Sequence, residues 1–581
     1  MRNLLKVLMV LAIAVIAVTA AVVLVQKNDM STLQCGMRAG GLEAETGAIG
    51  RPQFTSTGGS GGGGSPRVTS STTTAVAESA SAASSIGIST GGAKDIGNFR
   101  ENIAAGYLPL PTDITYEGLF YDYYFDTGET QPCAGLFCPS YQTAVSADPL
   151  SQRPEYYLSV GLNSGIQERD FQRKKLNLVV VLDISGSMNE QFDQYYYDGG
   201  GSVIDQGEEA ARSKIEVARE SLIALMDHLK PEDRFGVVLF NDNAYVAREL
   251  RPLRETSLES ITQHVRELQA DGGTHLSAGM KQATELLSSI PAAQGYESRI
   301  IFLTDAMPNI GVLDEDDILK ITERNAERGI FTTFIGIGVD FNSELVEAIT
   351  KTKGANSYAV HSPAEFKKRM SDEFDFMVTP LVFDLTLTLD AKGYEIEKVF
   401  GSPEAGEATG ELMKVATLFP SATNDEGTRG GLVLLKLRKL SDDSRLTLRV
   451  QYHDRDGNRK GSEAQVTFPQ GASGHFTSSG IRKGILLSRY ASLLRSWMLD
   501  ERAGGEGRER PRTAREHGIA IPSDDELTLG RWERQSMQLH VSGQYEELFA
   551  EFREYFQQEM EAIGDKTLDQ ESDILEKLKG E

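Results

Sequence analysis

Five side chains with oxygen atoms occur in a spacing that favours metal binding. They are Asp183, Ser185, Ser187, Thr274 and Asp305. Carboxylates and hydroxyls are hard ligands that suit Mg²⁺, Mn²⁺ or Ca²⁺, whereas metals that prefer thiolates need cysteine. The residue types alone therefore predict a divalent-cation site.

The apolar runs before these residues indicate how they are positioned. Asp183 follows residues 176–182, a valine-rich run that is too short for a typical helix and typical of a parallel strand covered on both faces. Asp305 ends a second such run, 300–304, and Thr274 lies on a glycine loop. Open α/β sheets bind ligands in the crevice at the carboxyl ends of their strands. The five side chains are expected to meet there.

The order and separation of the five residues resemble the metal-ion-dependent adhesion site of von Willebrand factor A domains, over about residues 174–378. The resemblance implies a metal held partly through water, with an acidic side chain of a protein partner filling an open coordination position. It implies Mg²⁺ first, with Mn²⁺ or Ca²⁺ as alternatives, and a partner with an exposed carboxylate.

Apolar periodicity independently predicts a doubly wound, mostly parallel α/β sheet over residues 174–379. The strand-like runs are 176–182, 234–240, 244–250, 298–304, 331–337 and 356–359, and the helical runs are 214–229, 276–290, 314–328 and 344–352.

Asp314–Asp317 is interpreted as an acidic helix start and not as a second cation cluster. Residues 191–211 form an insertion beside the metal loop, which is expected either to shape the partner surface or partly cover the metal, or to be merely tolerated.

Beyond residue 380 the pattern changes to period two, which predicts antiparallel strands at 382–389, 431–437 and 446–452. Residues 156–162 alternate in the same way and are expected to join them. The α/β domain is thus predicted to be inserted into a β-sandwich made of residues 150–173 and 380–470. His453–Asn458 is interpreted as a hairpin turn.

Residues 471–581 are predicted to be helical, with a polar break at 505–525 that includes the arginine-rich loop 508–515.

The amino terminus predicts export. Residues 7–26 are uncharged and long enough to span a bilayer, so 1–28 is interpreted as a retained anchor, with a cleavable signal as the alternative. The Gly/Ser/Thr-rich stretch 29–94 is expected to be a flexible tether. The expected location is the cell membrane, single-pass, with the bulk of the chain extracytoplasmic (periplasmic or at the cell surface), or secreted if the signal is cleaved.

The segment 95–149 is rich in aromatic residues that are expected to pack onto the following domains. Within it, residues 98–111 resemble the segment before the A domain in bacterial exported proteins labelled Ca-activated chloride channel homologues. Cys133 and Cys138 are expected to form a disulfide in an oxidising compartment, which leaves Cys35 unpaired.

The formal charge of −25 argues against binding to nucleic acid or anionic lipid, because both need a basic face. The chain contains neither an HExxH zinc-protease motif nor a P-loop, and His275 is the one histidine expected near the metal. Together with the resemblance to von Willebrand factor A domains, these features predict a membrane-tethered, non-enzymatic protein that binds an acidic group of a protein partner through a divalent cation. An accessory subunit of a membrane transport or channel assembly and a metal-dependent hydrolase are the alternatives.

Overall fold

The computed structural model describes residues 85–192, 212–291, 295–305, 314–338, 343–360, 363–390, 393–404, 412–441, 445–468, 474–504, 509–527, 529 and 536–580. The strands are β1 Gly87–Thr90, β2 Gly92–Ala93, β3 Tyr124–Phe125, β4 Cys138–Ala147, β5 Pro154–Asn163, β6 Lys175–Asp183, β7 Arg234–Phe240, β8 Ala244–Pro252, β9 Tyr296–Thr304, β10 Ile330–Ile337, β11 Asn356–Val360, β12 Val382–Asp390, β13 Tyr394–Phe400, β14 Leu412–Ser421, β15 Thr423–Asn424, β16 Gly427–Arg429, β17 Leu432–Lys439, β18 Arg445–Asp454, β19 Arg459–Thr467 and β20 His475–Phe476. The helices are α1 Gly97–Ala104, α2 Tyr116–Tyr121, α3 Lys214–Met226, α4 Leu258–Arg266, α5 Leu276–Ser288, α6 Asp314–Glu327, α7 Ser343–Thr350, α8 Pro363–Met377, α9 Ser479–Arg502, α10 Glu509–His517, α11 Asp524–Leu527, α12 Gly543–Ile563 and α13 Asp569–Leu578.

A seven-stranded sheet, in the order β2-β11-β10-β9-β6-β7-β8, holds the predicted metal residues. Neighbouring strands of this sheet are parallel, except that the edge strand β8 runs antiparallel to β7. Val180 and Leu182 of β6 join an apolar cluster with α3 and α8, whereas Val179 and Val181 join one with α5, α6 and α7. Helices therefore cover both faces, and the predicted α/β fold is confirmed.

Two five-stranded antiparallel sheets, β1-β14-β12-β18-β19 and β13-β17-β5-β4-β20, contribute to one further apolar cluster. β5 pairs with β17, with Gly161 opposite Leu432, so residues 156–162 do join the later strands. Apart from β2, the strands of the α/β sheet lie between β5 and β12 along the chain. The predicted hairpin turn is also confirmed, because the Asp454 carboxylate accepts the backbone N–H groups of Asp456 and Asn458 between β18 and β19.

The aromatic segment packs as expected. Phe99, Phe120 and Tyr123 are buried in one cluster with Tyr490 and Trp497 of the long helix α9. Helices α12 and α13 contribute to the same cluster. The amino-terminal and carboxyl-terminal parts of the described chain therefore share a core.

Two sequence expectations need correction, and two helices of the α/β domain were missed. Residues 85–94 are not tether: β1 pairs with β14 and β2 with β11, because Ile86 and Ile88 are apolar enough to be buried. The polar break at 505–525 contains the helix α10, which Arg510 and Arg515 attach to Asp500 and Glu551 by ion pairs. Helices α4 and α8 were not predicted.

Cys133 and Cys138 form the expected disulfide. Helix α6 starts at Asp314, as predicted for the acidic run there. No helix among the described ranges combines the length and apolar character needed to cross a bilayer. The predicted anchor 1–28, most of the tether, Cys35 and residues 193–211 of the insertion lie outside the described residues.

Candidate metal centre

The end of β6 and the turn after it position three of the predicted ligands. Asp183 is the last residue of β6, and Ser187 lies in the short 3₁₀ turn Gly186–Asn189 that follows. The backbone N–H of Ser185 donates to Asp183 Oδ1 at 2.8 Å, and the hydroxyl oxygens of Ser185 and Ser187 lie 3.1 Å apart. The turn therefore brings one carboxylate and two hydroxyls together.

The neighbouring strand β9 brings the second carboxylate to the same edge. β6 and β9 are parallel, with Leu182 opposite Leu303, so Thr304 and Asp305 follow at the level of Asp183. The Thr304 hydroxyl donates to Asp183 Oδ2 at 2.6 Å. Each oxygen of Asp183 thus accepts at least one hydrogen bond from the protein, which fixes the orientation of the carboxylate.

Both carboxylates are fully buried. Burial, followed by the negative charge of Asp305, raises the pKa of Asp183 to about 7. Lys214 at the start of α3 is also buried, and its ammonium group lies 3.3 Å from Asp305 Oδ2. Like charges in a desolvated site disfavour ionisation, and a nearby cation offsets them.

Thr274 lies on the loop between α4 and α5, which is attached to the turn after β6. The N–H of Asp271 donates to Ile184 O at 2.8 Å, and the N–H of Gly186 donates to Gly272 O at 2.9 Å. Asn189 adds a side-chain hydrogen bond to Ala270 O at 2.7 Å. The structure thus brings the segments that carry all five predicted residues to one end of the sheet.

Sequence reasoning did not identify Thr304, Lys214 or Asn189. The signal for Thr304 is visible afterwards, since it immediately precedes Asp305 at the end of a strand, where alternation places its side chain on the sheet face opposite to that of Leu303. In the sequence, Lys214 is typical of a helix start. Nothing near it indicates an ion pair, because its partner Asp305 lies 91 positions away. His275 lies beside the site, with its ring nitrogen Nδ1 3.4 Å from Asp242 O.

The chemistry of the donor set fits a hard divalent ion. The five predicted ligand side chains offer only carboxylate and hydroxyl oxygens, as Mg²⁺, Mn²⁺ and Ca²⁺ prefer. Across the described parts of the chain, no three or more His, Cys, Asp and Glu side chains form a group able to hold a metal. An ion at this position would therefore depend on the hydroxyls of Ser185, Ser187 and Thr274 as well as on the two aspartates.

Residues 178–307 match the family model of the von Willebrand factor type A domain. Inter-alpha-trypsin inhibitor heavy chain H1 of Homo sapiens is 28% identical over 219 residues, which are 36% of this chain and 21% of that protein. An uncharacterized protein of Synechocystis sp. is 28% identical over 241 residues, which are 40% of this chain and 49% of the relative.

The match thus spans about a fifth of the length of the inhibitor heavy chain. Among solved structures, a von Willebrand factor type A protein from Catenulispora acidiphila aligns at 16% identity and a TM-score of 0.42, over 72% of this chain and 97% of that one. The matched range 178–307 contains residues 178–183 of β6, all of β7 and β9, and all five predicted metal residues. The chain therefore contains a von Willebrand factor type A domain.

Proposed function

We propose that the chain binds an acidic group of a protein partner through a divalent cation held by Asp183, Ser185, Ser187, Thr274 and Asp305. One observation carries the proposal: two buried carboxylates and the Ser185 and Ser187 hydroxyls converge at the carboxyl end of the parallel sheet. The two carboxylates balance the charge of a divalent ion, and the other three ligands are neutral hydroxyls, so the ion keeps Lewis acidity toward a carboxylate from outside.

We propose in addition that the protein is tethered to a membrane by residues 1–28, with the described domains on the extracytoplasmic side. The uncharged run 7–26 supports this proposal, and the disulfide between Cys133 and Cys138 agrees with an oxidising compartment.

The charge-removing variant Asp183→Asn tests the metal role with little change in shape. The amide oxygen can still accept the Ser185 N–H, and the amide nitrogen can donate to Thr304, so the fold is expected to persist. Titration calorimetry with Mg²⁺ and Mn²⁺ should show one site in the wild type and none in Asp183→Asn. Glu249→Ala, an exposed carboxylate on β8, serves as the control and should bind the ion normally.

The partner role is tested by capture of envelope proteins on the immobilised protein. Capture should be lost in EDTA, restored by Mg²⁺ and absent with Asp183→Asn. Capture that persists in EDTA would contradict the proposal. Metal-dependent turnover of phosphoester, peptide or ester substrates that disappears in Asp183→Asn would favour the hydrolase alternative instead.

A further inference from the structure

The loop that carries Thr274 is held from two sides. On one side it is bonded to the turn after β6 through Asp271 N–H and Gly272 O. On the other side it meets residues 241–243, which connect β7 to β8. This second contact is separate from the five predicted ligands.

Residues 241–243 form three hydrogen bonds with the backbone of the loop, besides the contact of the His275 ring with Asp242 O. Asp242 Oδ1 accepts the N–H of Gly273 at 3.0 Å. Asn241 Nδ2 donates to Asp271 O at 3.0 Å, and Asn241 O accepts the N–H of His275 at 2.9 Å. The backbone on both sides of Thr274 is therefore bonded to residues 241–243.

The close approach of Asp242 depends on glycine. Gly272 has a φ of +82°, a left-handed conformation that favours glycine, and a Cβ placed there would lie 2.4 Å from Asp242 Oδ2. The absence of a side chain lets the carboxylate contact Gly272 with one oxygen and bond Gly273 with the other. Glycine at position 272 therefore leaves the space that the Asp242 carboxylate needs to accept the Gly273 N–H.

We infer that Asp242 is a positioning residue for the cation site: its carboxylate fixes the Gly272-Gly273-Thr274 loop against the turn that carries Ser185 and Ser187. The inference rests on the proposed cation site. Groups that orient metal ligands usually change metal affinity by about 10–100-fold when they are removed. Asp242 is exposed, so an effect at the lower end is expected.

Two substitutions separate hydrogen bonding from charge. Asp242→Ala removes the acceptor, and calorimetry with Mn²⁺ should show an affinity about tenfold weaker. Asp242→Asn keeps an oxygen that can accept the Gly273 N–H, and its affinity should stay within about threefold of the wild type. Glu249→Ala removes an exposed negative charge without contacting the loop and should leave the affinity unchanged.

Hydrogen exchange in EDTA gives a readout that does not involve the ion. The Gly273 amide should exchange faster in Asp242→Ala than in the wild type or in Asp242→Asn, while amides within β6 stay equally protected. An unchanged Mn²⁺ affinity in Asp242→Ala, or an equal loss in Ala and Asn variants, would overturn the positioning role alone. A wild type that binds no Mn²⁺ would overturn the cation site as well.

Discussion

The buried carboxylate of Asp183 is fixed by specific partners. Its two oxygens accept from Ser185 and Thr304, so the carboxylate is oriented before any ion arrives. Ligands that are already in place lose little conformational freedom when an ion binds. The rigidity of the strand ends is therefore part of the proposed binding chemistry.

A different buried carboxyl group, that of Glu404, predicts a pH-dependent stability. Its oxygens accept from the Ser402 hydroxyl at 2.8 Å and the Ala416 N–H at 2.7 Å. Burial raises the pKa of Glu404 from 4.5 to about 7. The folded protein therefore keeps this proton up to a higher pH than the unfolded chain, so the group's contribution to stability is lost as pH rises from 4.5 through 7.

Glu404→Gln should remove this loss, because glutamine stays neutral and can still bond Ala416 N–H and Ser402. Relative to the wild type, the variant should gain up to about 3 kcal/mol in the free energy of unfolding between pH 4.5 and pH 8. Urea unfolding at several pH values measures the difference, with the exposed Glu397→Gln as control. A difference that does not change with pH would contradict the assignment.

The sequence revealed the site residues whose chemistry is local and missed those whose role depends on distant partners. Asp183, Ser185 and Ser187 are recognisable by spacing. Asp242 is not, because its acceptor role depends on Gly273, which lies 31 positions further along the chain. Hydrogen bonds between loops from different strand ends leave no periodic signal in one sequence.

At the scale of elements, the period of apolar residues predicted six of the seven strands of the α/β sheet closely, and missed β2. The run 234–240 became β7 at the same bounds, and 176–182 became β6 with one more residue at each end. Helix α10 was missed because its sequence is almost entirely polar and only Ala514 is buried. Its ion pairs to Asp500 and Glu551 are tertiary contacts, which override local propensity.

Arg173 joins three elements just before β6. Its guanidinium donates to both oxygens of Asp233, at 2.9 and 2.6 Å, and to Asp375 of α8 at 2.6 Å. Arg173 and Asp233 are fully buried as side chains. The arginine therefore connects the start of β7 and helix α8 to the chain segment that enters the central strand.

Arg173→Ala should strongly destabilise the α/β domain, because it leaves the buried charge of Asp233 without its partner. Loss of one member of a buried pair usually costs about 3–5 kcal/mol. Thermal and urea unfolding measure this cost, and Arg169→Ala, which removes an arginine that is 74% exposed, is the matched control. Equal stability of the two variants would contradict this prediction and would show that other groups stabilise the buried charge of Asp233.

At the scale of the molecule, the described domains depend on contacts between distant parts of the sequence. Tyr116 of α2 bonds Ser492 of α9 through their hydroxyls at 3.0 Å, and Lys483 of α9 bonds Asp565 at 2.6 Å. Residues 85–94 belong both to an antiparallel sheet and to the parallel sheet. Such pairings are set by the whole fold, which explains why a composition-based boundary at residue 94 was wrong.

A series of three chains tests the two ends of the predicted tether. The full chain should stay with membranes through a carbonate wash, because residues 7–26 are long enough to span a bilayer. A chain that begins at Ser85 lacks that run and should appear in the supernatant. Full-length protein released by carbonate would count against the anchor.

The comparison of a chain that begins at Ser85 with one that begins at Asp95 measures what β1 and β2 contribute. The shorter chain loses Ile86 and Ile88, which are at most 2% exposed, and leaves β14 without its β1 partner. Burial of two such side chains stabilises a fold by roughly 3–6 kcal/mol. The chain from Asp95 should therefore unfold at a lower urea concentration and bind more of a hydrophobic dye. Identical unfolding curves would mean that residues 85–94 add nothing to the fold, as expected of a tether.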